Sequence, residues 1–167
     1  AAGKLGHREL VRLCRKKFKN FGAGASIAPE RAKYVGGEAR QERDLMEAQV
    51  VLGYPGLSYR SEEYMTAQIA SSILGGGMSS RLFQEVREKM GLCYSIYAFH
   101  WGFEDTGIFG ISAATGQRDA GNLVEQTLAE IGMAAHEVTE IEVKRAQAQL
   151  RAGLLMAISA EIEDRGA

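Results

Sequence analysis

The stretch Gly75-Gly76-Gly77-Met78-Ser79-Ser80-Arg81-Leu82-Phe83-Gln84-Glu85-Val86-Arg87-Glu88-Lys89-Met90-Gly91-Leu92-Cys93-Tyr94 sets three consecutive glycines, two arginines, a lone glycine and a tyrosine close together. Glycine loses the most backbone entropy on ordering, so a glycine triplet is expected to serve unusual dihedrals or close backbone approach. Ser79 and Ser80 offer helix-starting hydroxyls. From Arg81 onward Leu82, Phe83, Val86 and Met90 recur at helical intervals, and Gly91 falls where a left-handed C-terminal cap belongs. The segment reads as loop, short helix, cap and strand.

Upstream of it, the β-branched and apolar run over residues 48–54, ending at Pro55-Gly56, predicts a buried strand. Ser61 with Glu62 and Glu63 predicts the N-terminus of a helix whose stripe Met65, Ile69, Ile73 and Leu74 stops at the triple glycine. Downstream, residues 92–101 are apolar and aromatic on both alternations, which predicts a strand covered on both faces. A turn at 102–105 then leads into a second strand over 106–114, and the two are expected to pair as an antiparallel hairpin. Residues 119–133 predict a helix with Leu123, Thr127, Leu128 and Ile131 inward. Thr139-Glu140-Ile141-Glu142 is a capping box opening a last helix that buries Val143, Ala146, Leu150, Leu154 and Ile158. Hairpin strands separated by helices indicate an α+β fold, a mostly antiparallel sheet with helices packed on it.

The first 19 residues place Leu10, Val11, Cys14 and Phe18 on one helical face, with Arg8, Arg12, Arg15, Lys16 and Lys17 as a solvated remainder. Residues 20–37, with Gly22, Gly24, Pro29, Gly36 and Gly37, read as a linker and a candidate domain boundary.

With 46% apolar and 25% charged residues, the chain can bury one globular core. Its 20 basic and 21 acidic residues nearly cancel, so no overall field draws it to nucleic acid or to an anionic membrane. No apolar run approaches the roughly 18 residues that suggest a membrane span. Cys14 and Cys93 lack metal-ligand spacing and read as reduced core thiols. The start, Ala1-Ala2-Gly3-Lys4, has neither an initiator Met nor a signal pattern, and Glu161-Ile162-Glu163-Asp164 does little to close a domain. The chain is therefore expected to be part of something longer.

Chemistry-bearing patterns are few. Neither H-E-x-x-H nor H-x-x-E-H surrounds any of His7, His100 and His136, and the glycine triplet lacks the G-K-[ST] ending that holds phosphate. His100 and His136, each four residues before a glutamate, read as ordinary polar residues at element ends. Arg87 shares a helical face with Phe83 and Met90, and an arginine on an apolar side wants a partner. Tyr94 lies just past the Gly91 turn, close enough in sequence for its phenol to share a space with Arg87. Both side chains can donate hydrogen bonds to a peptide carbonyl or a carboxylate. The alternative is that Arg87 pairs internally with a glutamate such as Glu38 or Glu47 and that Tyr94 is plain core.

Residues 74–95 closely resemble the second-domain signature of pitrilysin-type zinc peptidases, particularly the branch of mitochondrial processing peptidase and its bacterial relatives. The resemblance extends over most of the chain. It implies that residues 1–19 are the tail of a preceding zinc domain, 20–37 a linker, and 38–167 a substrate-binding second domain, incomplete at its C-terminus. It implies that Arg87 and Tyr94, as R-x-x-x-x-x-x-Y, reach a zinc site in the first domain to hold substrate and stabilise the transition state. More loosely, it makes Gly75, Gly76 and Gly77 a substrate-handling loop. The zinc ligands of that family lie in an H-x-x-E-H motif this chain lacks, so zinc is implied for the parent protein and no metal for this chain. The expected partners are a peptide or unfolded segment and a zinc-bearing domain of the same family, with self-association as a further route, in a bacterial cytoplasm. A non-catalytic structural or regulatory subunit, as in processing-peptidase partners and respiratory core proteins, is the second function class.

Overall fold

Alternating burial along Ala48–Gly56 makes the first strand, β1: every second residue is half-buried and the others face outward. The computed structural model describes residues 5–22, 24 and 30–166, with side chains described to residue 160. Residues 1–4 of the expected tail and 23 and 25–29 of the expected linker lie outside the described residues. After α1 (His7–Lys17) and β1 come α2 (Tyr64–Gly75), a π-helix (Phe83–Lys89), β2 (Ser95–Gly102), β3 (Gly107–Thr115), α3 (Ala120–Glu137) and α4 (Glu140–Gly166). The chain divides into two compact units, Arg31–Leu155 and Ala1–Glu30 with Met156–Ala167.

Within Arg31–Leu155 the three strands form an antiparallel sheet in the order β1-β3-β2, so the expected hairpin and the α+β class are both present. Register fixes the faces. Val50, Leu52, Ile96, Ala98, Ile111 and Ala113 lie on one side, where they pack with Leu82 and Val86 of the helical segment and Leu123 of α3. Leu82 and Val86 have no exposed surface, and each such buried side chain contributes about 1.5–3 kcal/mol relative to exposure. β1 is an edge strand rather than a buried one, which is why Pro55 fits inside it: the missing N–H costs no ladder bond on an open edge.

The opposite face corrects the expectation of a doubly covered β2. Tyr97 and Trp101 are each more than half exposed. Both border Phe99, whose ring lies 6.1 Å from that of Tyr97 and 4.4 Å from that of Trp101 and covers the bare backbone of Gly110.

Several boundaries moved for physical reasons. Ser61 caps a turn, its Oγ accepting from Glu63 N at 3.2 Å, and α2 starts later, at Tyr64. On α3 the buried residues are Leu123, Thr127, Glu130 and Ala134, so Leu128 faces solvent and an acid takes a core position. Thr139 and Glu142 make the expected reciprocal cap, Glu142 N donating to Thr139 Oγ1 at 3.3 Å and Thr139 N to Glu142 Oε2 at 2.8 Å. Ala146 is buried and Val143 and Leu150 half-buried, but Leu154 and Ile158 are exposed. In the other unit α1 buries none of its residues, and Cys14 is exposed instead of lying in a core. No described helix is long and apolar enough to cross a membrane.

Candidate functional site

The segment from α2 to β2 is where the candidate residues meet. Gly75 ends α2 against β2, and a Cβ there would stand 2.1 Å from the backbone nitrogen of Ala98. The first of the three glycines is thus buried and serves helix–sheet contact, whereas Gly76 and Gly77 are exposed in the following loop. The loop ends at Ser80, whose Oγ donates to Gly77 O at 2.6 Å.

From Phe83 the helix widens. Met90 N donates to Glu85 O and Leu92 N to Val86 O, both at 3.1 Å, reaching back five and six residues. Such π-type widening is rare and recurs at functional sites. Gly91 closes it with φ of 65°, the left-handed cap expected of a glycine there.

This geometry brings Arg87 and Tyr94 together, though not through the phenol. Arg87 Nε donates to the Tyr94 backbone carbonyl at 2.8 Å, Nη1 pairs with Glu88 at 2.6 Å, and the guanidinium lies 4.4 Å from the Phe83 ring centroid. Tyr94 N in turn donates to Ala114 O at 2.8 Å, fixing the carbonyl that Arg87 reads to the central strand. Of the internal alternative, the glutamate pairing is present, with Glu88 as the partner while Glu38 pairs with Arg40, but Tyr94 is 61% exposed rather than core. Among the described residues neither Arg87 Nη2 nor the Tyr94 hydroxyl donates a hydrogen bond. Two donors are therefore held by backbone and left open to solvent.

Arg81, which the sequence marked only as a helix start, is half-buried and held by three glutamates. Its Nε and Nη2 form a two-pronged pair with Glu142 at 2.7 and 3.0 Å, Nη2 also donates to Glu137 O at 2.7 Å, and Nη1 lies 3.5 Å from Glu130. The Arg81 hydrogen bonds hold the Glu142 carboxyl down to about 2. At Glu130 burial dominates instead and pushes the carboxyl up, against the pull of Arg81. The signal available in the sequence was Glu142, whose capping-box role did not announce a second partner.

His100 also departs from its expected place at an exposed element end. It is buried in β2, where Nε2 accepts from Leu57 N at 2.9 Å and the ring lies 5.3 Å from Tyr64. Burial lowers its basicity. Among the described residues no group of three or more His, Cys, Asp or Glu is placed to hold a metal ion. Zinc therefore does not fit these residues.

Residues 1–150 match the model of the peptidase M16 inactive domain. The chain belongs to that family. An uncharacterized zinc protease of Rickettsia bellii is 36% identical over 93% of this chain and 38% of its own length. One from Streptomyces coelicolor is 37% identical over the whole chain and 38% of its own length. This M16 inactive domain thus spans well under half of the curated relatives it matches. A crystal structure of a peptidase M16 inactive domain from Pseudomonas fluorescens superposes with a TM-score of 0.63 and 27% identity over 70% of this chain and 28% of that one. Two more distant structures share the fold: a Helicobacter pylori protease, with TM-score 0.73 and 17% identity over 99% of this chain and 42% of its own, and a chain of complex III from Candida albicans, with 0.72 and 22% over 98% and 43%.

Proposed function

We propose that this M16 inactive domain is the substrate-holding, non-zinc half of a zinc endopeptidase that hydrolyses peptide bonds. The observation that carries the reading is the Arg87–Tyr94 unit: a half-buried guanidinium and an exposed phenol, tied together through the Tyr94 carbonyl, with Nη2 and the hydroxyl unspent. Preorganised donors of this kind bind a peptide carbonyl and stabilise negative charge developing on it. The exposed loop at Gly76 and Gly77, next to the helix that carries Arg87, adds a second contact for an extended chain, and the open sheet edges allow strand addition. The names of the bacterial relatives support zinc in the parent protein, and we assign its ligands to another domain of the same family, in the same chain or in a partner, in a bacterial cytoplasm. The roles left to this domain are binding, orientation and charge stabilisation.

A second reading, a non-catalytic subunit, is favoured by the likeness to the complex III chain, which establishes the shared fold. The two separate on cleavage of an unstructured peptide by the longer protein. The first reading expects Arg87→Ala to lower kcat/KM about 100-fold and Tyr94→Phe to lower it as well, with stability within about 1 kcal/mol of wild type. A protein that cleaves equally well with both substitutions would refute the assigned roles, and a longer protein without H-x-x-E-H that cleaves nothing would favour the subunit.

A further inference from the structure

Four successive carbonyls of the glycine loop are held by side chains. Gln149 Nε2 donates to Gly76 O at 2.7 Å, Ser80 Oγ to Gly77 O at 2.6 Å, Gln84 Nε2 to Met78 O at 2.6 Å and Arg145 Nη1 to Ser79 O at 3.1 Å. An exposed loop containing two glycines would otherwise be costly to order, at about 1–2 kcal/mol per residue. Bonds worth about 0.5–1.5 kcal/mol each, and less at exposed positions, offset part of that. Once its acceptors are engaged by the protein body, the loop keeps its donors: among the described residues the N–H groups of Gly77, Met78 and Ser79 have no backbone partner.

Two of the four tethers come from α4. Arg145 and Gln149 stand three and seven residues after Glu142, on one helical face, with buried Ala146 between them. Glu142 is the residue that grips Arg81 at the start of the helical segment carrying Arg87. A small cleft lined by Ser72, Ser80, Arg145 and Gln149 lies between this face, the end of α2 and the loop.

We propose that this face of α4 is the positioning strut of the peptide site. Gln149 and Arg145 set the glycine loop, and Glu142, through Arg81, sets the π-helix, so that loop donors and Arg87 present themselves to a peptide backbone in one register. The inference rests on the peptide-binding reading above and adds Arg145 and Gln149 to it as positioning residues.

The test pairs amide hydrogen exchange of this chain with peptide-cleavage kinetics of the longer protein, for Gln149→Leu, Arg145→Leu and the double variant. Loss of one or two hydrogen bonds predicts about a three- to ten-fold rise in exchange at residues 77–80, with α2 and β2 protection retained. In kinetics the loss falls mainly on KM, by a similar factor, and Arg145→Lys recovers part of it. Unchanged exchange at the loop overturns the strut and leaves the peptide reading standing. A fall in kcat and melting temperature together, at constant KM, overturns it as well, because that is the signature of general destabilisation. Cleavage indifferent to Arg87→Ala overturns the peptide reading and with it the strut's role in binding, whatever the exchange shows.

Discussion

Two arginines six residues apart have opposite tasks. Arg81 is 16% exposed and faces Glu130, itself almost fully buried, and Glu142. Arg87 is about one-third exposed and, among the described residues, pairs only with Glu88, which is itself half exposed. Arg81→Met therefore strands a buried carboxylate and is expected to cost about 3–5 kcal/mol, read as a drop in the urea midpoint, whereas Arg87→Ala should stay within about 1 kcal/mol of wild type. Acid sensitivity follows the same residues. The Glu142 carboxyl is depressed from 4.5 to about 2 by the Arg81 bonds, so its contribution is complete above pH 4.5 and is lost as pH falls toward 2. His100, kept neutral by burial, works in a higher window: the unfolded chain takes up a proton near pH 6.5 and the folded chain only below that, so stability declines as pH drops under 6.5. Replacing His100 by Gln should flatten the dependence of the urea midpoint between pH 7 and 5; an unchanged slope would remove His100 as its source. The sequence pointed to Arg87 and Tyr94 because their spacing across Gly91 is local. It did not distinguish Arg81, because the acids that bury it come from α3 and α4, and Glu130 lies on a helical face that the hydrophobic pattern had assigned in part to Leu128.

At the scale of elements, the two glycines bracketing the candidate site answer to different constraints. Gly75 has no room for a side chain, because the obstacle is the Ala98 backbone, which cannot rotate away. Gly91 has open space but a positive φ. Gly75→Ala should thus cost about 1–3 kcal/mol or more by overpacking, and should loosen α2 from β2. Gly91→Ala should cost about 1–2 kcal/mol through backbone conformation alone. Chemical denaturation combined with exchange at β2 amides separates the two: β2 protection falls for Gly75→Ala and is retained for Gly91→Ala. Strands, hairpin and capping box could be read from the sequence because each rests on contacts a few residues apart. Coverage of β2 could not, since alternating aromatics look alike whether a second layer or a neighbouring ring shields them. The π-helix was invisible for a related reason: its apolar spacing differs too little from that of an α-helix over seven residues.

For the whole molecule, near-zero net charge supplies no long-range attraction, so the proposed peptide site rests on local donors. On the proposed reading, Arg87 and Tyr94 act as one unit on a peptide whose cleavage is completed by a zinc-bearing domain in the same chain or in a partner. A double-mutant cycle on kcat/KM of the longer protein tests this most directly, because groups that act together are not additive. Tyr94→Phe preserves the backbone carbonyl that Arg87 binds, so the hydroxyl is removed without displacing the guanidinium. The account predicts that Arg87→Ala alone lowers kcat/KM about 100-fold and that adding Tyr94→Phe lowers it little further. Cleavage at the wild-type rate in all three variants, or losses that simply multiply, would contradict it.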